Sequence, residues 1–298
     1  MSIPPEYLKA GKIASEVRED VRQLEMIGKS LLTVCEYVED RIRLKGGEPA
    51  FPCNICLNDT AAHYTAVIDD DCVVTESDVV KVDIGVHING YIADTAVTIS
   101  YNPEFDTLVK ATESALMEGV RSISKDVSAG EIGAVIDSVA ARWGYRPIVN
   151  LSGHLIEQYT IHAGKSIPNI QVSGSPKLRE GEIYAVEPFL TTRNGAGSVV
   201  STQIKNIFSL VTRKKVKEKK LDDFVQLLWD RWRTLPFAAR YFTDLFESGE
   251  INLIINELLK KKILRSYPVL VEDSGSIVAQ AEHTITPTEK GVLVLTQS

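Results

Sequence analysis

The sequence has few of the features that mark secreted, membrane or nucleic-acid-binding proteins. It contains only four cysteines among 298 residues and carries a net charge of −7, which argues against binding of nucleic acid over its whole surface. No apolar run approaches the length of a membrane span, and residues 1–17 lack the apolar core of a signal peptide. We therefore expect a cytoplasmic protein with reduced thiols and no membrane partner.

Several catalytic and metal-binding signatures are also missing. There is no Gly-x-Ser-x-Gly elbow and no His-Glu-x-x-His motif. Residues 163–166 (Ala-Gly-Lys-Ser) resemble the end of a P-loop, but Tyr159 stands where that loop requires glycine. Cys53 and Cys56 have the spacing of a zinc-binding pair, yet no second pair completes a structural site. We interpret these two cysteines as packing residues.

The composition is that of an ordinary globular protein, with 44% hydrophobic and 24% charged residues. Helical spacing of apolar residues predicts one or two helices over 5–45, and two more within 104–144 separated by a break at 128–130. Strands are predicted near 64–68, at 79–99 and within 148–200. This order of elements is typical of an α+β domain with an antiparallel sheet.

The composition changes between residues 202 and 268. An exposed, charged run at 213–220 precedes an apolar helix stripe at 221–232. Two further helices are predicted at 237–247 and 250–264, and the strand pattern then resumes to the end of the sequence. This pattern indicates a helical module inserted into the sheet domain.

The segment 79–99 contains two aspartates inside a predicted β-hairpin. β-Branched residues flank Asn89-Gly90, a dipeptide that favours a two-residue type I′ turn because both of its positions require φ > 0. With that turn Gly85 faces Asp94, and Asp83 and Asp94 lie on one face as diagonal neighbours. Two carboxylates in one small space repel each other unless a cation compensates them.

Two interpretations of this aspartate pair remain open at the level of sequence. The carboxylates either bind a cation or lie on a solvated face of the sheet. A three-residue loop with a bulge would in addition reverse the register of the hairpin and separate the two side chains. The hairpin therefore suggests a cation site without establishing one.

Later segments also place polar groups within apolar sequence. Glu282 shares one face of its predicted strand with Gln280, and Glu187 ends a strand-like run just before a proline. His154 follows a glycine, and His162 precedes Ala-Gly. Each of these residues has an ordinary alternative, which is a surface glutamate or a core histidine bonded to the backbone.

Together these segments resemble the methionine aminopeptidases. The shared motifs occur in the family's order and span nearly the whole chain: 61–65 (Ala-Ala-His-Tyr-Thr), 82–85 (Val-Asp-Ile-Gly) with Asp94, 153–154 (Gly-His), 161–164 (Ile-His-Ala-Gly), 186–188 (Val-Glu-Pro) and 280–284 (Gln-Ala-Glu-His-Thr). The insertion between Glu187 and Glu282 resembles the type II enzymes, and the lack of a lysine-rich and acidic N-terminal extension resembles their short archaeal form. Ala281 departs from the phenylalanine usual in the family, which puts local packing in doubt but leaves Glu282 in place.

The resemblance implies the pita-bread fold of creatinases and aminopeptidases, in which two pseudo-symmetric α+β halves enclose a metal site. Residues 1–201 and 269–298 would form this catalytic domain. Residues 202–268 would form an inserted helical subdomain, with a winged helix as one alternative arrangement. The metal ligands implied by the family pattern are Asp83, Asp94, His154, Glu187 and Glu282. They would bind two divalent ions, for which Co, Mn, Fe and Zn all suit the donor set.

The resemblance also implies a reaction and the roles of nearby residues. The activity would be removal of the initiator methionine from nascent proteins and peptides by a metal-activated water. Glu187 would transfer the proton, His162 would polarise the scissile carbonyl, and His63 would line the site and help to hold the substrate. The residues that match the family's methionine pocket are Phe51, Ile161 and Tyr267.

Other proteins with this fold provide the alternatives. A catalytically inactive paralogue of the proliferation-associated type would act as a ribosome- or nucleic-acid-binding protein, but such proteins lack the complete ligand set. Proline-specific aminopeptidases and creatinases usually carry an additional N-terminal domain, of which this sequence gives no sign. As partners we expect a peptide N-terminus that begins with Met and a transient ribosome contact, and we expect a monomer.

Overall fold

The computed structural model describes residues 3–124 and 126–297. In this part of the chain groups of helices alternate with groups of strands, and the strand pairs are antiparallel. The arrangement confirms the predicted α+β class with antiparallel sheets. None of the helices in these two ranges combines the length and the apolar character needed to cross a membrane.

The first half begins with two helices, α1 (Pro5–Arg22) and α2 (Leu31–Leu44). A proline suits the first position of α1, because the N–H of that residue would have no partner within the helix. Ser30 caps α2 by accepting the N–H of Thr33 at 3.1 Å. The buried sides of both helices pack on the sheet that follows, so they form a layer behind that sheet.

The strands of the first half are β1 (Glu48–Pro49), β2 (Asn54–Leu57), β3 (Thr60–Ala62), β4 (Val79–Ile88) and β5 (Tyr91–Ser100). β4 is central, with β5 along one edge and β1 and β2 along the other. Cys53 and Cys56 are buried and free, as their interpretation as packing residues predicts.

The strand predicted near 64–68 is wrong. The strands of this region are β2 and β3, and His63 then adopts a φ of 67°, which ends the extended conformation. The Tyr64 carbonyl accepts the N–H of Ile55 at 2.8 Å, and residues 64–68 form no ladder. Apolar alternation alone therefore placed the strand too late in the chain.

The β4–β5 hairpin has the predicted register. The turn residues Asn89-Gly90 have φ values of 51° and 83°, as a type I′ turn requires. Gly85 faces Asp94, and Asp83 faces Ala96. The large apolar residues of both strands pack against the helices, so the two aspartates project from the opposite face.

The second half repeats this plan. A short 3₁₀ helix (Pro103–Phe105) leads into α3 (Asp106–Arg121) and α4 (Ala129–Arg142). Ser128 and Glu131 form a capping box, which explains why α4 begins at the predicted break. The strands that follow are β6 (Arg146–Pro147), β7 (Ser152–Ile156), β8 (Ser166–Pro168), β9 (Ile183–Val186), β10 (Phe189–Thr191) and β11 (Val199–Ser201).

Residues 202–268 have a hydrophobic core of their own. The elements in this segment are β12 (Ile207–Leu210), α5 (Lys219–Trp232), β13 (Phe237–Ala238), a 3₁₀ helix (Ala239–Phe242), α6 (Ser248–Lys260) and β14 (Leu264–Tyr267). The α5 helix matches its prediction. The helix predicted at 237–247 is wrong, because Phe237 pairs with Phe208 of β12. The segment therefore contains a three-stranded antiparallel sheet, β13-β12-β14, beside its helices.

Strands resume after residue 268, as the sequence predicts, and most of them pair with strands of the second half. They are β15 (Leu270–Glu272), β16 (Val278–Gln280), β17 (His283–Thr288) and β18 (Gly291–Val294). The main sheet of this half has the order β18-β17-β9-β7-β8, and a smaller sheet has the order β16-β10-β6. A third sheet, β11-β15-β3, joins strands from both halves.

Threonine hydroxyls connect the two halves. The Thr95 hydroxyl donates to the Glu282 carbonyl at 2.8 Å, and the Thr284 hydroxyl donates to the Asp94 carbonyl at 2.7 Å. Buried polar groups require such partners. These bonds connect β5 to residues 282–284. They therefore fix the backbones of Asp94 and Glu282 relative to each other.

A second buried contact joins residues 202–268 to the first half. The Arg240 guanidinium donates to the carboxylate of Glu39 in α2 and to the Thr65 hydroxyl at 2.8 Å. The Tyr241 hydroxyl donates to the same carboxylate at 2.7 Å. The side chains of Arg240 and Glu39 are 5% and 4% exposed. We call Glu39, Arg240 and Tyr241 the Arg240 junction.

Candidate metal centre

The β4–β5 hairpin supplies two carboxylates to the interior between the halves. Asp83 lies on β4 and Asp94 on β5, on the face that points away from the helices. Asp94 is only 3% exposed. This degree of burial contradicts the alternative in which the aspartates lie on a solvated face of the sheet.

The second half supplies the other three predicted ligands. His154 lies on β7, opposite Ala185 of β9, and Glu187 directly follows β9. Glu282 lies between β16 and β17 and forms an isolated bridge with Ala96 of β5. Ala96 is paired with Asp83 on its other side, so the bridge places Glu282 level with Asp83.

The distances show that these side chains face one small volume. His154 Nε2 lies 3.7 Å from Asp94 Oδ2 and 3.5 Å from Glu187 Oε1. One ligand atom each from Asp94, His154 and Glu282 lie within 4.8 Å of one another. Separations of this size are what a metal ion between the ligands would require.

Gln280 connects the remaining carboxylate to this group. Its Nε2 lies 3.5 Å from Asp83 Oδ2 and 3.4 Å from Glu282 Oε2. Sequence reasoning placed Gln280 on the same strand face as Glu282 but gave it no role. The structure shows that its amide contacts one carboxylate from each half.

Burial changes the pKa values of all five groups. It raises the pKa of Asp83 to about 6. Burial together with the neighbouring carboxylates raises the pKa values of Asp94, Glu187 and Glu282 well above their usual range. Burial and the nearby His162 lower the pKa of His154, so that its imidazole is neutral and offers a lone pair.

These residues fit a bound divalent cation. Within the described residues no lysine or arginine forms an ion pair with the four carboxylates. Asp83 Oδ1 and Asp94 Oδ1 are buried and have no hydrogen-bond partner there, an arrangement that costs free energy unless a positive group is present. Carboxylate oxygens with one imidazole nitrogen suit ions such as Mn, Fe, Co or Zn.

A cavity of about 330 Å³ opens beside the carboxylates. The predicted substrate residues that line it are Phe51, His63, Ile161, His162 and Tyr267. Phe51 and Ile161 are buried, and Gly85 makes room for Phe51, since a Cβ at Gly85 would lie 2.3 Å from the Phe51 ring. The volume suits a small, partly apolar ligand.

The two cavity histidines are held differently. His63 Nδ1 lies 3.2 Å from the Pro268 carbonyl, and since a carbonyl can only accept, Nδ1 carries the proton and Nε2 has the lone pair. The His162 ring packs edge-on against His154, with centroids 4.4 Å apart. Burial in the cleft, with His63 and Arg265 nearby, lowers the pKa of His162 to about 4. Burial also lowers the pKa of His63, so both imidazoles are neutral near pH 7.

Sequence reasoning missed several residues that line this cavity. They are Asn54, Asn150, Leu151, Ser152 and Phe189. Ser152 had a usable signal, because it lies two residues before His154 on the same strand and so shares its face. Asn54 had none, since its pairing opposite Asp83 depends on contacts between separate strands.

The chain matches several known proteins. It matches "Metallopeptidase family M24" over residues 6–210. It is 40% identical over 290 residues to a methionine aminopeptidase of Methanocaldococcus jannaschii, a match that covers 97% of each chain. A solved methionine aminopeptidase from Thermotoga maritima covers 100% of this chain and 98% of its own, with a TM-score of 0.71 and 22% identity. A thermophilic Arx1 covers 98% of this chain and 90% of its own, with a TM-score of 0.80 and 17% identity. At these identities the two structures establish the fold alone.

Proposed function

Because the chain belongs to metallopeptidase family M24, and within it to the archaeal, type II-like methionine aminopeptidases, we propose that five of its side chains hold the metal for the reaction. That reaction is the metal-dependent removal of the initiator methionine. The proposed ligands are Asp83, Asp94, His154, Glu187 and Glu282. The observation that carries the proposal is the convergence of four carboxylates, two of them buried and two partly buried, with one neutral imidazole.

We propose two divalent ions of the set Co, Mn, Fe and Zn. Two such ions carry four positive charges, which balance the four carboxylates. Asp83 and Asp94 would be the ligands that the first half of the chain supplies. When bound, such ions act as Lewis acids and lower the pKa of a water molecule towards neutrality.

The chain's own residues would move the proton and orient the peptide. Glu187 would accept the proton of the attacking water and donate it to the leaving amine, a role consistent with its raised pKa. His162, neutral at pH 7, would donate a hydrogen bond to the scissile carbonyl. His63 would hold the substrate through Nε2, because Nδ1 is engaged by Pro268.

The methionine side chain would lie against Phe51, Ile161 and Tyr267. Two of these residues are buried apolar groups at the cavity wall. The Tyr267 ring packs against His63, with centroids 5.7 Å apart, so the apolar wall and the histidine that holds the peptide are adjacent. This arrangement favours a substrate whose first residue has an apolar side chain.

The test is hydrolysis of Met-Ala-Ser, Leu-Ala-Ser and Pro-Ala-Ser by protein that has been stripped of metal and reloaded. We expect release of methionine from the first peptide only after reloading, and none from its N-acetylated form. Full activity after exhaustive chelation would contradict the metal proposal, whereas preference for Pro-Ala-Ser would contradict the assigned substrate.

The same experiment addresses the alternative of an inactive paralogue. The likeness to Arx1 in fold is what favours that alternative. An inactive protein would release no methionine with any of the four metals, even if it bound them.

We further propose residues 1–201 and 269–298 as the catalytic domain and 202–268 as an inserted subdomain. The separate hydrophobic core of the inserted residues supports this division. The protein would act in the cytoplasm, as a monomer, on nascent or free peptides that begin with Met.

A transient ribosome contact would use the basic surface, which we define as residues 213–220 and 260–262. These two stretches are neighbours, because Val211 N–H donates to the Ile263 carbonyl at 2.8 Å and Lys261 pairs with Glu218 at 3.5 Å. Residues 202–268 contain 14 Lys and Arg against 8 Asp and Glu, whereas the whole chain contains 33 against 40. A local excess of positive charge of this kind favours contact with RNA phosphates.

A further inference from the structure

Asn54 occupies a special place beside the metal centre. It begins strand β2 and lies directly opposite Asp83 of β4. Directly opposed residues of an antiparallel pair project from the same face of the sheet. Asn54 is only 4% exposed and lines the cavity together with Phe51 and Asp83. Asn54 therefore lies beside a proposed metal ligand and lines the same cavity as the apolar residue Phe51.

The contacts of Asn54 fix the orientation of its amide. Its Nδ2 donates to the Pro52 carbonyl at 2.9 Å. Because a carbonyl oxygen can only accept, the atom that faces Pro52 must be the nitrogen and not the oxygen. The amide oxygen is thereby turned away from Pro52.

This oxygen is a buried acceptor without a donor. Asn54 Oδ1 has no hydrogen-bond partner among the described residues. Asp83, which lies directly opposite Asn54, would be ionised when it holds a metal ion and would then offer no proton. Buried acceptors in folded proteins are nearly always paired. Because Asn54 also lines the cavity, a molecule bound there would supply the missing donor.

We propose that Asn54 is a substrate-binding residue whose Oδ1 accepts a hydrogen bond from the α-amino group of the peptide. This inference rests on the proposed function, in which the first residue of the substrate is a methionine with a free amine. The α-carbon of that residue joins its side chain, beside Phe51, to an amine near Asp83. Asn54 lines the cavity with both of these residues, and an amine offers N–H donors where the site offers acceptors.

The test compares two competitive inhibitors of metal-loaded protein. L-methionine has the α-amine, and 4-(methylthio)butanoate has the same side chain and carboxylate without it. In Asn54→Ala we expect the inhibition constant of L-methionine to rise about tenfold and that of 4-(methylthio)butanoate to stay within twofold. The kcat/KM for Met-Ala-Ser should fall by a similar factor, while metal affinity measured by calorimetry stays unchanged.

Asn169 provides a matched control. It is fully buried, its Nδ2 donates to the Leu151 carbonyl at 3.2 Å, and its Oδ1 also has no partner among the described residues. Unlike Asn54 it does not line the cavity. Asn169→Ala should change both inhibition constants by the same factor, because any effect on the cavity is indirect.

Three results would overturn the inference. Equal increases for both inhibitors in Asn54→Ala would mean a structural role. A large loss of metal affinity would make Asn54 a metal ligand. An unchanged inhibition constant for L-methionine would mean that the oxygen meets another donor. Failure of the wild-type protein to cleave Met-Ala-Ser would instead contradict the proposed function, so the two failures are distinguishable.

Discussion

The metal centre and the Arg240 junction are two buried clusters of charge in one protein, and they balance that charge in different ways. At the junction the Glu39 carboxylate accepts hydrogen bonds from Arg240 and Tyr241. Although burial lowers the pKa of Arg240, Tyr241 and Glu39 raise it above its usual range. The junction thus contains its own cation.

The metal centre has no such cation among the described residues. Its four carboxylates have raised pKa values, and their nearest basic group is the neutral imidazole of His154. The comparison shows that a buried carboxylate is tolerated in two ways, with a permanent side-chain partner or with an ion from outside. The first way joins parts of the chain, and the second creates a site whose chemistry depends on a ligand.

The largest effect on activity should come from Glu187, the carboxylate proposed to transfer the proton. In Glu187→Gln we expect kcat to fall by about 10²–10⁴, because the proton acceptor is lost while the shape is kept, and KM to change little. Metal content must be measured beside the rate, since Glu187 is also a proposed ligand. Glu118→Gln, an exposed change in α3, should leave both constants unchanged. A fully metallated Glu187→Gln protein with normal kcat would assign the proton transfer to another residue.

Removing the cation of the Arg240 junction should produce the next largest effect. Arg240→Met leaves Glu39 buried without a positive partner, and we expect the free energy of unfolding to fall by about 3–5 kcal/mol. Urea denaturation of the metal-loaded protein measures this loss. In the double variant Arg240→Met/Glu39→Gln the loss should be clearly smaller, since no charge is left unpaired. Equal losses in the two variants would show that shape and not charge holds the junction.

At the metal centre, removal of a carboxylate should raise the free energy of unfolding of the metal-free protein. Because the pKa of Asp83 is raised to about 6 in the folded protein, its contribution to stability is present below about pH 4 and is lost as pH rises through 6. In metal-free protein at pH 8 we therefore expect Asp83→Asn to be more stable than wild type, by on the order of 2 kcal/mol. The two proteins should converge near pH 4.

Urea denaturation across this pH range, with a chelator present, measures the difference. Saturating metal should reverse the order, since the wild-type centre then gains a cation that the variant binds less well. A metal-free Asp83→Asn protein less stable than wild type at pH 8 would contradict the view that this cluster lacks its own counter-charge.

The smallest effect on stability and activity should come from exposed charges. Changing Lys214, Lys215, Lys217 and Lys219 to Gln on the basic surface should leave kcat/KM for Met-Ala-Ser unchanged and shift stability by less than about 0.5 kcal/mol. Co-sedimentation with ribosomes at low salt should weaken. Loss of peptide hydrolysis in the folded variant would mean that this surface belongs to the cavity, and unaltered co-sedimentation would remove the ribosome proposal.

The sequence predicted the parts of the fold that depend on short-range preferences. The Asn89-Gly90 turn fixed the hairpin register, and a capping box marks the start of α4 at the predicted break. The wrong predictions lie where tertiary contacts decided the outcome. Residues 237–247 carry apolar groups at helical spacing, but pairing with β12 draws the first of them into a strand.

The sequence by itself determined which residue types could form the candidate site and the order in which they occur along the chain. It also favoured a hairpin in which Asp83 and Asp94 share one face, because turn geometry and the two-residue period of a strand act over a few residues. Only the tertiary structure decided that all four carboxylates come together at one cavity without a lysine or arginine partner in the described part of the chain. The same is true of Arg240, whose partner Glu39 is 201 positions away, and of the free oxygen of Asn54. Burial and pairing depend on how distant segments pack, and no local pattern of residues encodes that packing.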